Sequence, residues 1–118
     1  LHAVAKRVED SPIAVAAQDC FFEEKGAFTG EVAPGMLKDV GCTWAIVGHS
    51  ERRQFFGETD ANVFKKCLAL QAVGITPIAC LGETLGERGH LFGIERFEPA
   101  LRDSDQAFEA KQADIALV

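Results

Sequence analysis

The chain has 118 residues, enough for one modest domain around one hydrophobic core. It is 47% hydrophobic and 25% charged, an ordinary balance for a folded globular chain. A formal net charge of −6 argues against a nucleic-acid-binding surface, and no stretch approaches the roughly 18 apolar residues of a membrane span.

Leu1 to Val8 reads as the end of a helix, with Leu1, Val4, Ala5 and Val8 on one face. Asp10-Ser11-Pro12 stops it, and Ile13 to Ala17 reads as a buried strand. Cys20 to Glu31 is a loop carrying Phe21, Phe22 and Phe28, aromatics that need burial beneath the loop or against another subunit. Pro34 fits a first helical turn, Met36, Leu37 and Val40 its apolar face, and Gly41 its stop. Trp44 to Val47 reads as a fully buried strand.

Thr59 is placed to cap a helix whose apolar face is Val63, Cys67, Leu70 and Val73, with Lys65 and Lys66 on its other faces. Ile75 to Leu81 is a third strand, in which Pro77 is awkward because it removes a ladder donor. Gly82-Glu83-Thr84 turns away from it, Gly86 to Gly93 reads as loop, and Ile94 to Ala113 as helix. Asp114 to Val118 is a fourth buried strand. Buried strands alternating with amphipathic helices imply an α/β fold with a parallel sheet.

Cys20, Cys42, Cys67 and Cys80 form no Cys-x-x-Cys pair and no metal-ligand spacing with a histidine. Each lies in or beside an apolar run. Free thiols in a reducing compartment are expected, with a cytoplasmic location, no secretory leader and no metal or organic cofactor.

Gly48-His49-Ser50-Glu51-Arg52-Arg53 follows the Trp44 strand directly. In parallel α/β architectures, ligands bind just past the carboxyl ends of such strands. Ser50 and Glu51 fit a helix start, as hydroxyl cap and acid at the positive end of the backbone dipoles. Amide N–H groups facing His49 would keep its ring neutral, able to donate a hydrogen bond to a carbonyl oxygen. A histidine that merely closes a loop would leave the same local pattern. Arg52 and Arg53 either clamp a phosphate or form salt bridges to acids such as Glu58 or Asp60. No nucleotide-binding glycine motif and no nucleophilic serine elbow is present.

Val47-Gly48-His49-Ser50-Glu51-Arg52-Arg53 resembles the signature of the triosephosphate isomerase family. Three further segments agree in order and spacing: Gly26 to Glu31 with the family's interface loop, Met36 to Gly41 with the helix after it, and Gly74 to Thr84 with its fifth strand. Between Gly89 and Asp114 the resemblance is poor.

The resemblance implies a (β/α)8 TIM barrel, of which residues 1–118 would be one domain truncated at both ends, about strands three to six. It implies interconversion of dihydroxyacetone phosphate and glyceraldehyde 3-phosphate in glycolysis and gluconeogenesis. The substrate would be a small phosphorylated triose, and the full-length enzyme a homodimer without cofactor. His49 would be the catalytic electrophile, Ser50 a neighbour of the catalytic carboxylate, and Glu51 an acid orienting the catalytic lysine and meeting the other subunit. Thr29 would insert into that subunit, and Cys80 would lie buried near the carboxylate. The family's first strand, with its asparagine and lysine, has no counterpart here, and the chain stops just before the catalytic glutamate is due. Phe97-Glu98-Pro99 resembles the surroundings of that base but comes too early, in a helical context. The chain alone is expected to be inactive. The alternative expectation is a non-catalytic barrel fragment serving as an interaction module.

Overall fold

The computed structural model describes residues 1–82 and the backbone of residues 116–117. The expectations for Glu83-Thr84, the 86–93 loop, the 94–113 helix and the Phe97-Glu98-Pro99 segment lie outside the described residues. The elements run α1 (His2–Val8), β1 (Ala16–Ala17), α2 (Pro34–Asp39), β2 (Trp44–Val47), α3 (Ser50–Phe56), α4 (Asp60–Ala72), β3 (Thr76–Ala79) and β4 (Ala116–Leu117). The strands form one parallel sheet in chain order, β1-β2-β3-β4. This is the α/β alternation of a TIM-barrel segment.

Local chemistry sets the helix ends. Pro34 opens α2, where its fixed φ suits the first turn and its missing N–H costs nothing. The Thr59 hydroxyl accepts the Asn62 N–H at 3.2 Å and starts α4. Gly57, at φ +64°, ends α3 and separates it from α4. Two helices therefore lie between β2 and β3, one where Ser50 and Glu51 fit a helix start and one where Thr59 was placed as a cap.

The core forms where helices meet one face of the sheet. Leu37 of α2 and Val63, Cys67 and Leu70 of α4 pack on Ala17, Ala45, Val47 and Ala79. Alanines on the helix-facing side let the helices seat closely. Trp44, Ile46, Thr76 and Ile78 alternate with these residues and are only half-buried. Trp44 to Val47 was expected to be buried on both faces. Its actual pattern alternates, because among the described residues helices cover one face only.

The first strand is also shorter than expected, Ala16–Ala17 rather than Ile13–Ala17. Its register begins at Ala16↔Trp44, and before Ala16 only the Val15 carbonyl, which accepts the Thr43 and Trp44 amides, reaches β2. The Ser11 hydroxyl instead accepts the Ile13 N–H at 3.2 Å in a turn, leaving Ile13 63% exposed. Pro77 fits without loss toward β2. The amides of Thr76 and Cys80 donate to Thr43 and Val47 carbonyls at 3.0 and 2.9 Å. By alternation, the Pro77 nitrogen points the other way, one residue before the first β3–β4 pair, Ile78↔Ala116.

All four cysteines are free; Cys20, Cys42 and Cys67 are buried, whereas Cys80 is only half-buried. Burial pushes the Cys20 thiol from 9.0 up to about 12, with the neighbouring Asp19 charge adding to it. Burial also raises Cys67 from 9.0 to about 12. In both cases the folded state holds the proton more tightly than the unfolded one. Their contribution is complete below pH 9.0 and is lost as pH rises toward about 12. Thermal melts followed by circular dichroism should therefore show a falling midpoint above pH 9.0, and Cys67→Ala should flatten that fall.

Candidate functional site

At the carboxyl end of β2 the chain turns at Gly48, whose φ is +75°. His49 follows with extended ψ and is the N-cap of α3: its ring Nδ1 accepts the Glu51 N–H at 3.3 Å. Ser50 is thus the first helical residue and not the cap expected of it. The imidazole reaches the amide two residues on, while Ser50 already has helical dihedrals. With Nδ1 accepting, a neutral ring carries its proton on Nε2, which has no partner among the described residues. The Glu51 carboxylate lies 3.9 Å from Nδ1 and would pair with the ring only if it were protonated. The site therefore presents one outward N–H donor beyond the end of a parallel strand, a group able to polarise a carbonyl oxygen.

Both polar backbone groups of Gly48 are held by side chains. Its N–H donates to Glu58 Oε2 at 3.1 Å, and its carbonyl accepts from Arg53 Nε at 2.8 Å. The Arg53 guanidinium continues to Asp60 Oδ1 at 2.6 Å and to the Cys80 carbonyl at 3.4 Å, just past β3. The other Glu58 oxygen binds Lys66 Nζ, which also donates to Asp19 Oδ1 at 2.8 Å. Asp19 Oδ2 lies 3.0 Å from Arg52 Nε, and the Arg52 guanidinium stacks over Phe56 at 4.4 Å. Three acids and three bases thus tie together the carboxyl ends of β1, β2 and β3. The arginines serve the salt-bridge role, Arg53 with Asp60 as expected but Arg52 with Asp19. Glu58 belongs to Lys66.

Lys66 is the main correction. It was expected on an outer helix face, yet its side chain is 4% exposed. Burial alone would lower its pKa, but the hydrogen bonds and charges of Asp19 and Glu58 outweigh that and raise it above 10.5. It therefore stays a cation, and its contribution is lost only as pH rises beyond that value, which reinforces the alkaline loss from the thiols.

Close packing and a positive φ make any side chain at Gly48 costly. A Cβ there would lie 3.0 Å from Arg53 Nη2, 3.1 Å from the Cys80 carbonyl and 3.1 Å from Val63 Cγ2. Gly57 has a similar positive φ with nothing within 4 Å. Gly57→Ala should cost about 1 kcal/mol, from backbone strain alone. Gly48→Ala should cost roughly 2–3 kcal/mol, because strain is joined by displacement of the Arg53 clamp. Urea unfolding of the two variants measures the difference.

The remaining residues singled out from sequence lie apart from His49. Thr29 is exposed on the loop after β1, where Phe21 stacks on Phe22 at 4.4 Å and tilts against Phe28 at 4.7 Å. Phe21 and Phe22 are half-buried, with Lys65 5.0 Å above the Phe22 ring, whereas Phe28 stays 43% exposed. Glu51 is exposed beside His49. Cys80 follows β3, its N–H on the Val47 carbonyl. Among the described residues no cluster of histidine, cysteine and acid could hold a metal ion, and no helix is long and apolar enough to cross a membrane.

A sequence model of the triosephosphate isomerase family matches residues 1–117, running through the 89–114 segment where the motif resemblance is weak. The chain is 57% identical over 88 residues to triosephosphate isomerase of Geobacter metallireducens, which covers 75% of this chain and 35% of that protein. It is 45% identical over all 118 residues to that of Endomicrobium trichonymphae, covering 47% of that protein. Among solved structures, triosephosphate isomerase from Bartonella henselae superposes with a TM-score of 0.80 at 31% identity, over 98% of this chain and 48% of that one. The chain thus spans about half or less of the length of the relatives it matches, and it belongs to the triosephosphate isomerase family.

Proposed function

We propose that the full-length protein carrying this chain interconverts dihydroxyacetone phosphate and glyceraldehyde 3-phosphate through an enediolate. The observation that carries this reading is His49: in a chain matched to the family over residues 1–117, it stands at the carboxyl end of a parallel strand with Nδ1 engaged by a backbone amide. Nε2–H donates to the substrate carbonyl oxygen and stabilises the negative charge that grows there as a carboxylate removes the neighbouring carbon-bound proton. A neutral histidine in this role is an established device of the family. The carboxylate and the lysine that complete the chemistry are not identified among residues 1–82, and the 118-residue chain alone is expected to show no turnover.

Ser50, in the first turn of α3, neighbours the catalytic carboxylate, and Glu51 orients the lysine. A homodimer is supported by exposed Thr29 and Glu51 and by the apolar surface of Phe55 and Phe56, 67% and 66% exposed at the end of α3. A cytoplasmic location is supported by the free cysteines. The test is a coupled assay of the product of the complete reading frame with glyceraldehyde 3-phosphate, beside the 118-residue chain. Turnover by the complete protein and none by the chain is the expected pair of results. No turnover by a folded complete protein overturns the reading; turnover by the chain alone overturns only its expected inactivity.

A further inference from the structure

His49 is aimed by its backbone. Its side-chain hydrogen bond runs only to the Glu51 amide in the first turn of its own helix, so that bond turns with the helix and fixes no direction in the molecule. Gly48 before it, at φ +75°, belongs to the residue type with the widest range of backbone angles. A reacting group tolerates an error of only about 10–20° in direction. Something must therefore hold the chain where β2 gives way to His49.

Arg53 does so from both sides. A peptide unit is planar, so fixing its carbonyl fixes the direction in which the next residue leaves. The Gly48 carbonyl, in the peptide before His49, accepts from Arg53 Nε at 2.8 Å. The His49 carbonyl, in the peptide after it, accepts from the Arg53 backbone N–H at 3.1 Å. One residue thus holds both peptides that flank His49. The guanidinium is anchored in turn to other elements: Nη1 donates to Asp60 Oδ1 at 2.6 Å at the start of α4, and Nη2 to the Cys80 carbonyl at 3.4 Å just past β3. Its side chain is 24% exposed. An ion pair with Asp60 needs Nη1 alone and leaves the use of Nε and Nη2 on two backbone carbonyls unexplained. A planar fork with fixed donors serves all three acceptors at once, and an ammonium on a flexible stem does not.

We propose that Arg53 is a positioning residue for the reaction, holding the two peptides on either side of His49 so that Nε2 points at the substrate oxygen. Its kinetic consequence rests on the isomerase reading, whereas its hold on the His49 ring does not.

The test uses the complete protein, with rates taken per folded molecule from the ellipticity. Arg53→Lys keeps a cation beside Asp60 and loses the fork. It should lower kcat by about 10–100-fold with KM nearly unchanged, the loss that follows a misplacement of about 1 Å. In the His49→Asn background the same substitution should change kcat less than about twofold, because the ring it aims is gone. A purely structural salt bridge would give the same loss in both backgrounds. Nitrogen-15 spectra of the His49 ring read its placement without turnover, and Arg53→Lys should shift or broaden the Nε2 signal. If Arg53→Lys does not fold, Asp60→Asn decides in its place. It keeps an acceptor for Nη1 but weakens the charge-assisted bond, and the same pattern should appear at about 3–10-fold in kcat. An unchanged kcat in the folded variant, an equal loss in the two backgrounds or an unchanged ring signal overturns the proposal. A wild-type protein without turnover overturns the isomerase reading, and the ring signal then decides on Arg53 by itself.

Discussion

Glu58→Ala should destabilise the folded chain by about 3–5 kcal/mol, the usual cost of removing one partner from a buried ion pair. The Glu58 side chain is 3% exposed and each of its oxygens has a separate task. One neutralises Lys66, and the other takes the Gly48 N–H at 3.1 Å. Alanine leaves a buried ammonium with Asp19 as its only acid and strands the Gly48 amide in the interior. The stranded amide alone accounts for about 1–3 kcal/mol of the total. Glu58→Gln separates the two tasks. Its carbonyl oxygen can accept from Gly48, but its amide then faces the Lys66 ammonium, donor against donor. That variant should therefore lose most of the same stability. Lys66→Met in the Glu58→Gln background should recover part of it, because the buried cation is gone. Urea unfolding with an unchanged m-value measures all three. A loss below about 1 kcal/mol for Glu58→Ala would show that the cluster behaves as a solvated surface pair.

This cluster marks where the sequence became hard to read. The strand, glycine and histidine at residues 44–49 stand out because an apolar run ends abruptly in a residue free to take positive φ. Lys66 was concealed by its residue type. Val63, Lys66, Cys67 and Leu70 stand at spacings of three, four and seven, so the helical period alone places Lys66 on the buried face. Treating a lysine as an outward residue discarded that signal. Its partners lie 47 and 8 residues away, and a single sequence does not pair charges over such distances.

Local geometry explains the other differences. A hydroxyl beside a helix start invites assignment as the cap, but an imidazole one residue earlier can reach the same amides, and Ser50 entered the helix instead. The half-burial of Trp44 and Ile46 depends on what covers the second face of the sheet, and the strand's own residues carry no record of it. The short β1 follows from where β2 begins, which is a property of the pair and not of Ile13 to Ala17.

His49→Asn in the full-length protein should lower kcat by about 10²–10⁴-fold while leaving stability nearly unchanged. The His49 side chain is 47% exposed and makes one local hydrogen bond, as the cap of α3. Asparagine is among the best N-cap residues, and its carbonyl oxygen can take the Glu51 N–H that Nδ1 now holds. What it cannot supply is an imidazole N–H at the Nε2 position. His49→Ala removes the cap as well and should add roughly 1 kcal/mol of instability to the same kinetic loss. If the Nε2 donor acts, as proposed, on charge that develops in the transition state, kcat and kcat/KM should fall together, with KM changing much less. A rise in KM at constant kcat would instead make His49 a ligand for the ground-state substrate. Near-normal kcat in the asparagine variant would remove His49 from the chemistry and leave it only as the residue that starts α3.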